Sequence, residues 1–441
     1  MIHPFYIQLV LLLSGIALIV YLTTRLKVHP FFALSLVSVL LGVGAQLPAT
    51  EVLSVMKDGF GQVMKSLGFI IVLGTALGIM LERTGRTTAI AGYILQTIGA
   101  RHAAFAMSIT GFIVGMPIFC DSGFIVLSGL SNSMSRKAGL AAASVSVCLA
   151  TGLYAVHCLI PPHPGAAAAA GIIGVDFGRV LLFGIPVALP SMLVGYGWAM
   201  YAGESALFSG ETESVETEAP TKHYSVLSSL LPLLVPILLI GLKSFLVAPT
   251  QTSLFAQVLA FVGDPSIALV IGFGLCFIGK GNRDRDTVSA MLREAVEKSG
   301  GILVIIGAGG AFGHVLAATK IGDHFSEVLP LQHLGILFPF LLTFLLKTAQ
   351  GSSTVAILTA ASLTFPLLPA LGLDTENGKL LCVLAMGGGS MMISHANDAY
   401  FWVISRFGGV AMEPMLKVYT IATIGMGLTT LLMVYLLSFI L

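Results

Sequence analysis

The chain has 441 residues, of which 56% are hydrophobic and 10% charged, with 50 glycines and a formal net charge of +1. Soluble domains carry roughly 25% charged residues; a mean hydropathy of +0.96 and repeated apolar runs place this chain among integral membrane proteins. The near-neutral balance argues against nucleic acid or any other polyion as a partner. Five cysteines (Cys120, Cys148, Cys158, Cys276 and Cys382) lie in apolar stretches without CxxC spacing, so they read as packing residues rather than disulfides or metal ligands.

In chain order, the apolar run Ile2–Thr23 opens the sequence. Within it, Pro4–Tyr21 has no basic leader and no small-residue cleavage pattern, so it is expected to stay as a first membrane helix. Phe31–Pro48, Val180–Tyr201, Val226–Val247, Ile267–Ile278 with its flanks, and Met415–Leu441 are further candidates for the roughly 20 residues that a crossing needs. Leu67–Leu81, Leu303–Leu316 and Val355–Leu368 are too short and are flanked by glycine, proline or polar residues, which points to discontinuous helices or re-entrant hairpins. The polar run Glu204–His223, with five glutamates and one lysine, reads as a solvated loop between residues 1–203 and 226–441, and Lys280–Lys298 as a second hydrophilic loop. Arg25 and Lys27, and later Arg136 and Lys137, favour cytoplasmic placement of their loops.

The two halves match. Ser66–Leu81 resembles Ser299–Leu316, Pro117–Leu127 (PIFCDSGFIVL) resembles Leu346–Leu358 (LKTAQGSSTVAIL), and Cys148–Gly165 resembles Val383–Tyr400, in the same order and offset by about 230 residues. The expectation is an all-α membrane protein built from two repeats with paired broken segments.

Of the nine aspartates, most fall in polar loops; Asp121 and Asp398 do not, and one lies in each repeat. A carboxylate at membrane depth costs roughly 2.5–3.5 kcal/mol on insertion scales, so it persists where it caps a helix, meets a partner or faces a cavity. Around these two aspartates gather other polar groups. Pro161–Gly165 (PPHPG) cannot continue a helix and leaves His163 on a break, with His157 earlier on the same run. Gln350, Gly351, Ser352, Ser353 and Thr354 supply an amide, hydroxyls and exposed N–H groups at a helix start, a natural anion site. Lys347 precedes them and either snorkels to the interface or pairs with a substrate carboxylate. Ser394–Asp398 brings His395, Asn397 and Asp398 into one turn.

Enzyme signatures are absent: there is no HExxH, no P-loop, no GxGxxG after a strand and no CxxC. GAGGAFG (Gly307–Gly313) sits inside an apolar run and echoes GTALG (Gly74–Gly78), which reads as close helix packing. The chain is expected to need no cofactor beyond a coupling proton. A membrane-embedded enzyme or a channel are the lesser alternatives.

PIFCDSGFIVL, HCLIPPHPG, QGSSTVAILTAA, ISHANDAYFW and the early RLKVHPFFAL together resemble the gluconate permease family, which is part of a wider ion-transporter superfamily. The resemblance runs over essentially the whole chain. It implies about 12–14 transmembrane or re-entrant segments in two inverted repeats, each with a hairpin and a broken helix. It also implies a homodimer with an elevator motion in a bacterial inner membrane, and proton symport of gluconate or a related hydroxy acid, with D-serine or another small carboxylate as the alternative. Matched motif by motif, Asp121, Ser122, His163, Lys347, Gln350, Gly351, Ser352, Ser353, Thr354, His395, Asn397 and Asp398 are the expected substrate and proton residues. Asp121 is the expected proton carrier, since a carboxylate removed from water exchanges its proton nearer neutrality than one in solvent. QGSST and Lys347 would hold the substrate carboxylate, and Asn397, His163 and the Ser/Thr hydroxyls its hydroxyl groups.

Overall fold

Helix is the regular structure of every element among the described residues, as a lipid environment demands of a backbone that cannot bond to water. The computed structural model describes residues 4–203, 225–247, 253–278, 284–320 and 331–441. Most of the expected linker between the halves lies outside the described residues.

The first half runs through α1 (Pro4–Thr24), α2 (Pro30–Gly44), α3 (Ala49–Arg83), α4 (Arg86–Ile98), α5 (Ala103–Gly115), α6 (Cys120–Ala138), α7 (Ala142–Leu159), α8 (Pro164–Ile173) and α9 (Phe177–Gly203). The second contains α10 (Val226–Leu246), α11 (Leu254–Val262), α12 (Pro265–Leu275), α13 (Arg285–Ala318), α14 (Leu337–Gln350), α15 (Ser353–Thr364), α16 (Glu376–Met391), α17 (Ala399–Gly408) and α18 (Met412–Leu437). Among the described residues six spans are long and apolar enough to cross a membrane, α7 and α8 counting as one; α11 and α12, bent by 67°, form a further broken span or re-entrant loop, and five shorter apolar helices accompany them.

The element order repeats. Long α3 and α13 are each followed by a helical hairpin (α5–α6; α14–α15), a broken span (α7–α8; α16–α17) and a last long helix (α9; α18). Packing between the halves is reciprocal: α8 lies on α15 and α17 on α6, while α2 lies on α13 and α12 on α3.

The short apolar runs Leu67–Leu81 and Leu303–Leu316 are not broken segments. They are the C-terminal parts of unbroken helices of 35 and 34 residues. Their N-terminal parts carry Lys57, Asp58 and Lys65 in α3 and Arg293, Glu294, Glu297 and Lys298 in α13, which hides the continuity from hydropathy. For the same reason Lys280–Lys298 is helical from Arg285 onward, started by Asp284, which accepts from the Thr287 N–H at 3.1 Å. Val355–Leu368 is short as expected, being mostly α15 and the 3₁₀ turn after it.

Glycines let the two long helices cross. Gly59 lies against the Gly310 carbonyl, Gly310 against Val63 and Gly307 against Phe60, so GAGGAFG is a packing seam. Farther along α3, Gly74 seats Pro162 and Gly78 seats the Pro117 carbonyl, so one helix supports both breaks of the first half. A fully buried Arg86 at the start of α4 donates to the carbonyls of Ser228, Cys276 (2.8 Å) and Ile278 (2.7 Å). Pro232 has no N–H to bond Ser228 within α10, and the other two carbonyls follow the end of α12. Arg86 therefore satisfies backbone groups that lipid would leave bare.

Candidate functional site

Four interruptions meet inside the bundle: the tip between α5 and α6, the break between α7 and α8, the tip between α14 and α15, and the break between α16 and α17. Each follows from local sequence. Pro117 ends the α5 side of the first tip, PPHPG unwinds α7 from α8, and Gly351, at φ +82, turns α14 into α15. The two breaks end in the same way: His163 and Asp398 stand at the N-cap of ten-residue helices that close on left-handed glycines, Gly174 and Gly409.

The PPHPG break and the QGSST tip are neighbours, as expected for two interruptions that must be buried against protein. They meet by packing, with Gly165 fitted against Thr354 and Ile357. The cavity beside Pro161 and Pro162 is apolar, lined by Ile70, Leu181, Ile240 and Leu269 among others.

Bonded polar side chains gather where the α14–α15 tip meets the α16–α17 break. Lys347, in the last turn of α14, has a side chain with no exposed surface, so it does not snorkel. Its ammonium sits 2.6 Å from Asp398 Oδ2 and donates to the Gly351 carbonyl. Asp398 also accepts from the Ser394 hydroxyl on Oδ2 and from the Tyr400 N–H on Oδ1 at 3.1 Å. Asp398 is thus a helix cap and the partner of a buried cation at once. Gly351 lies against the Asn397 backbone, leaving no room there for a side chain, and the Asn397 amide donates to the Thr348 carbonyl at 2.8 Å. These contacts strap the second hairpin to the second broken span.

Asp121 does not cap. Phe119 holds the N-cap of α6 and Asp121 is the second residue of that helix. One of its carboxylate oxygens, Oδ1, is buried without a hydrogen-bond partner, and the side chain is within electrostatic reach of Asp398 and Lys347. His163 Nε2 donates to the Gly115 carbonyl at 2.7 Å, tying the first break to the end of α5. His157 packs edge-on to His163 at 5.0 Å and stacks on Tyr154 at 6.4 Å. Ser352 accepts from the Val355 N–H at 3.3 Å and so caps α15, while Cys158 is within hydrogen-bond reach of Ser353. Gln350 keeps both amide atoms buried and unpartnered. His395 bonds the Ile393 carbonyl at 3.1 Å, and no contact draws it to the lysine. Ser122 and Thr354 sit in the first turns of α6 and α15, both half-buried. Among the described residues no three His, Cys, Asp or Glu side chains stand together as a metal would need.

A sequence profile described as GntP family permease matches residues 7–440. The chain belongs to that family. Relatives include the gluconate permease of Pseudomonas aeruginosa, 33% identical over all of this chain and 99% of the relative. The D-serine transporter DsdX of Escherichia coli strain K12 is 30% identical over 97% of this chain and 98% of its own. The Gnt-II system L-idonate transporter of the same strain is 30% identical over 94% of this chain and 95% of its own. Among solved structures, the YdaH transporter of Alcanivorax borkumensis superposes with a TM-score of 0.66 at 16% identity, covering 93% of this chain and 98% of its own, which shows a shared fold. The family member is therefore a membrane permease and not an enzyme, as its motifs implied.

Three tyrosines escaped the sequence reading. Tyr154, Tyr400 and Tyr419 are buried and pack with ring centres 5.6–6.3 Å apart beside the ion pair. Tyr154 donates to the Ser390 carbonyl at 3.1 Å and Tyr400 to the Ala150 carbonyl at 3.2 Å, so the cluster links the two broken spans. The signal available was Tyr154, one helical turn before His157, and Tyr400 inside ISHANDAYFW.

Proposed function

We propose that this permease is a secondary active symporter that carries a small hydroxylated carboxylate, such as a sugar acid, together with a proton across a bacterial inner membrane. The homodimer and the inverted relation of the halves, both implied by the family resemblance, belong to this reading. The relatives named for gluconate, L-idonate and D-serine support the substrate class, since all three compounds join a carboxylate to at least one hydroxyl.

The observation that carries the reading is the imbalance of buried charge. Two carboxylates, Asp121 and Asp398, stand in reach of one ammonium, Lys347, and Asp398 has already taken it. An incoming anion alone would add a second uncompensated negative charge in a medium of low polarizability, which is costly. An anion arriving with a proton for Asp121 leaves the net charge of the site unchanged. That charge rule is the coupling: the proton makes room for the anion.

The test is uptake into proteoliposomes of gluconate, glycerate, D-serine, hydroxybutyrate and ketogluconate, with and without an imposed pH gradient. The proposal requires saturable accumulation of one or more of these acids that needs the gradient and collapses with a protonophore. Uptake indifferent to the gradient would remove the proton, unsaturable flux would mean a channel, and an altered product would mean an enzyme.

A further inference from the structure

The polar residues that the sequence offered as ligands for a substrate's hydroxyl groups are largely spent on the protein itself. The Asn397 amide donates to Thr348, His163 to Gly115, Ser394 to Asp398, and Ser352 caps α15. Gln350 is different. It follows Lys347 by three residues in α14, so the two side chains leave the same face of the helix. That face packs on α16, where Gly389 lies against the Phe340 carbonyl. Its amide oxygen and amide nitrogen are both buried and neither meets a donor or acceptor among the described residues. Leaving such a group bare costs about 1–3 kcal/mol for each missing bond, so a buried amide with both ends open calls for a partner that the described residues do not supply.

We infer that Gln350 is the specificity-determining residue that reads a hydroxyl on the substrate. This rests on the symport reading above. A primary amide presents one acceptor oxygen beside two N–H donors. A hydroxyl or a pair of neighbouring hydroxyls donates one hydrogen and accepts another, which matches both ends at once. A methylene in the same place satisfies neither. Sites built to bond a hydroxyl reject analogues lacking it far more strongly than apolar pockets reject a change of size, because the protein's own polar group is then stranded. The neighbouring charges set the frame for this contact: Lys347 bonds both Asp398 and the Gly351 carbonyl, which fixes the backbone turn that immediately follows Gln350.

The experiment compares pairs that differ by one hydroxyl: gluconate with 2-deoxygluconate and with 3-deoxygluconate, glycerate with 3-hydroxypropionate, and D-serine with D-alanine. Wild-type protein in proteoliposomes first identifies which of gluconate, glycerate and D-serine is accumulated under a pH gradient. Failure at that step rejects the symport reading and says nothing against the amide. For the accumulated acid, the hydroxylated member should compete for uptake at least about tenfold better than at least one partner lacking a hydroxyl. Gln350→Met, which keeps the length and removes the amide, should shrink that ratio to about two- or threefold while retaining gradient-driven uptake of the deoxy acid. A structural role alone would lower both members of the pair equally. Should Gln350→Met fail to reconstitute, Gln350→Glu, close in shape but without the amide donors, is put to the same ratio with the same expectation of a reduced preference. A hydroxyl preference unchanged in whichever variant reconstitutes would overturn the assignment.

Discussion

The two halves of the permease have the same order of broken elements, but they handle their buried polar groups differently. In the second half the cation and the carboxylate are joined, Lys347 to Asp398, and the join straps hairpin to broken span through Gly351 and Asn397. In the first half the corresponding N-cap position holds His163, which bonds a backbone carbonyl, while the carboxylate Asp121 keeps an oxygen unpartnered. In its charges, one half is closed and the other open. The difference teaches that a repeated scaffold can use its parts unequally: the second half ties its buried charges together, and in the symport proposed above the first holds the charge left to exchange.

The closed half is where breakage should cost most. Lys347→Met strands Asp398 in the core and is expected to destabilise the protein by about 3–5 kcal/mol, read as a large drop in melting temperature in detergent. Lys347→Met combined with Asp398→Asn removes both charges and should recover most of that loss. If the double variant melts no higher than the single one, the pair is not the strap. Gly351→Ala places a Cβ on a left-handed residue and against the Asn397 backbone, for an expected loss of about 2–3 kcal/mol and of transport. Stability within 0.5 kcal/mol of wild type would show that the turn can relax.

In the open half the effects should be smaller. His163→Leu leaves the Gly115 carbonyl bare, for about 1–2 kcal/mol and faster hydrogen exchange at residues 116–119; His163→Asn, able to donate, should return part of the protection. Smallest of all is the pair of Arg83 with Glu294, at 3.0 Å with the arginine side chain 57% exposed. Arg83→Ala should cost less than about 1 kcal/mol and leave transport intact, so a loss of uptake there would mean that the α3–α13 contact moves during the cycle.

Much of this was legible in the sequence because polar residues in oil are conspicuous. Asp121 and Asp398 stood out as the two aspartates outside polar loops, and PPHPG and QGSST as segments that no membrane helix could contain. What the sequence hid were the partners. Lys347 and Asp398 are 51 residues apart, and whether the ammonium meets a substrate, an interface or its own chain depends on how α14 lies on α16. The continuity of α3 and α13 was hidden for another reason. Their charged first halves lower hydropathy without breaking the helix, so an apolar run marked part of each element and not its ends. The tyrosine cluster left only the faint signal of Tyr154 near His157 and Tyr400 inside ISHANDAYFW, since its members come from three separate helices and meet only after folding.

The central claim is that Asp121 is the open carboxylate that couples proton to anion, and one substitution addresses it directly. Asp121→Asn keeps the shape and removes the titrating group. It should abolish accumulation driven by a pH gradient in proteoliposomes while leaving the melting temperature near that of wild type. Exchange of substrate between equal pools, which needs no net proton movement, should persist. Asp121→Asn that still concentrates substrate against its gradient to the wild-type level would contradict the account and move the coupling proton to another group.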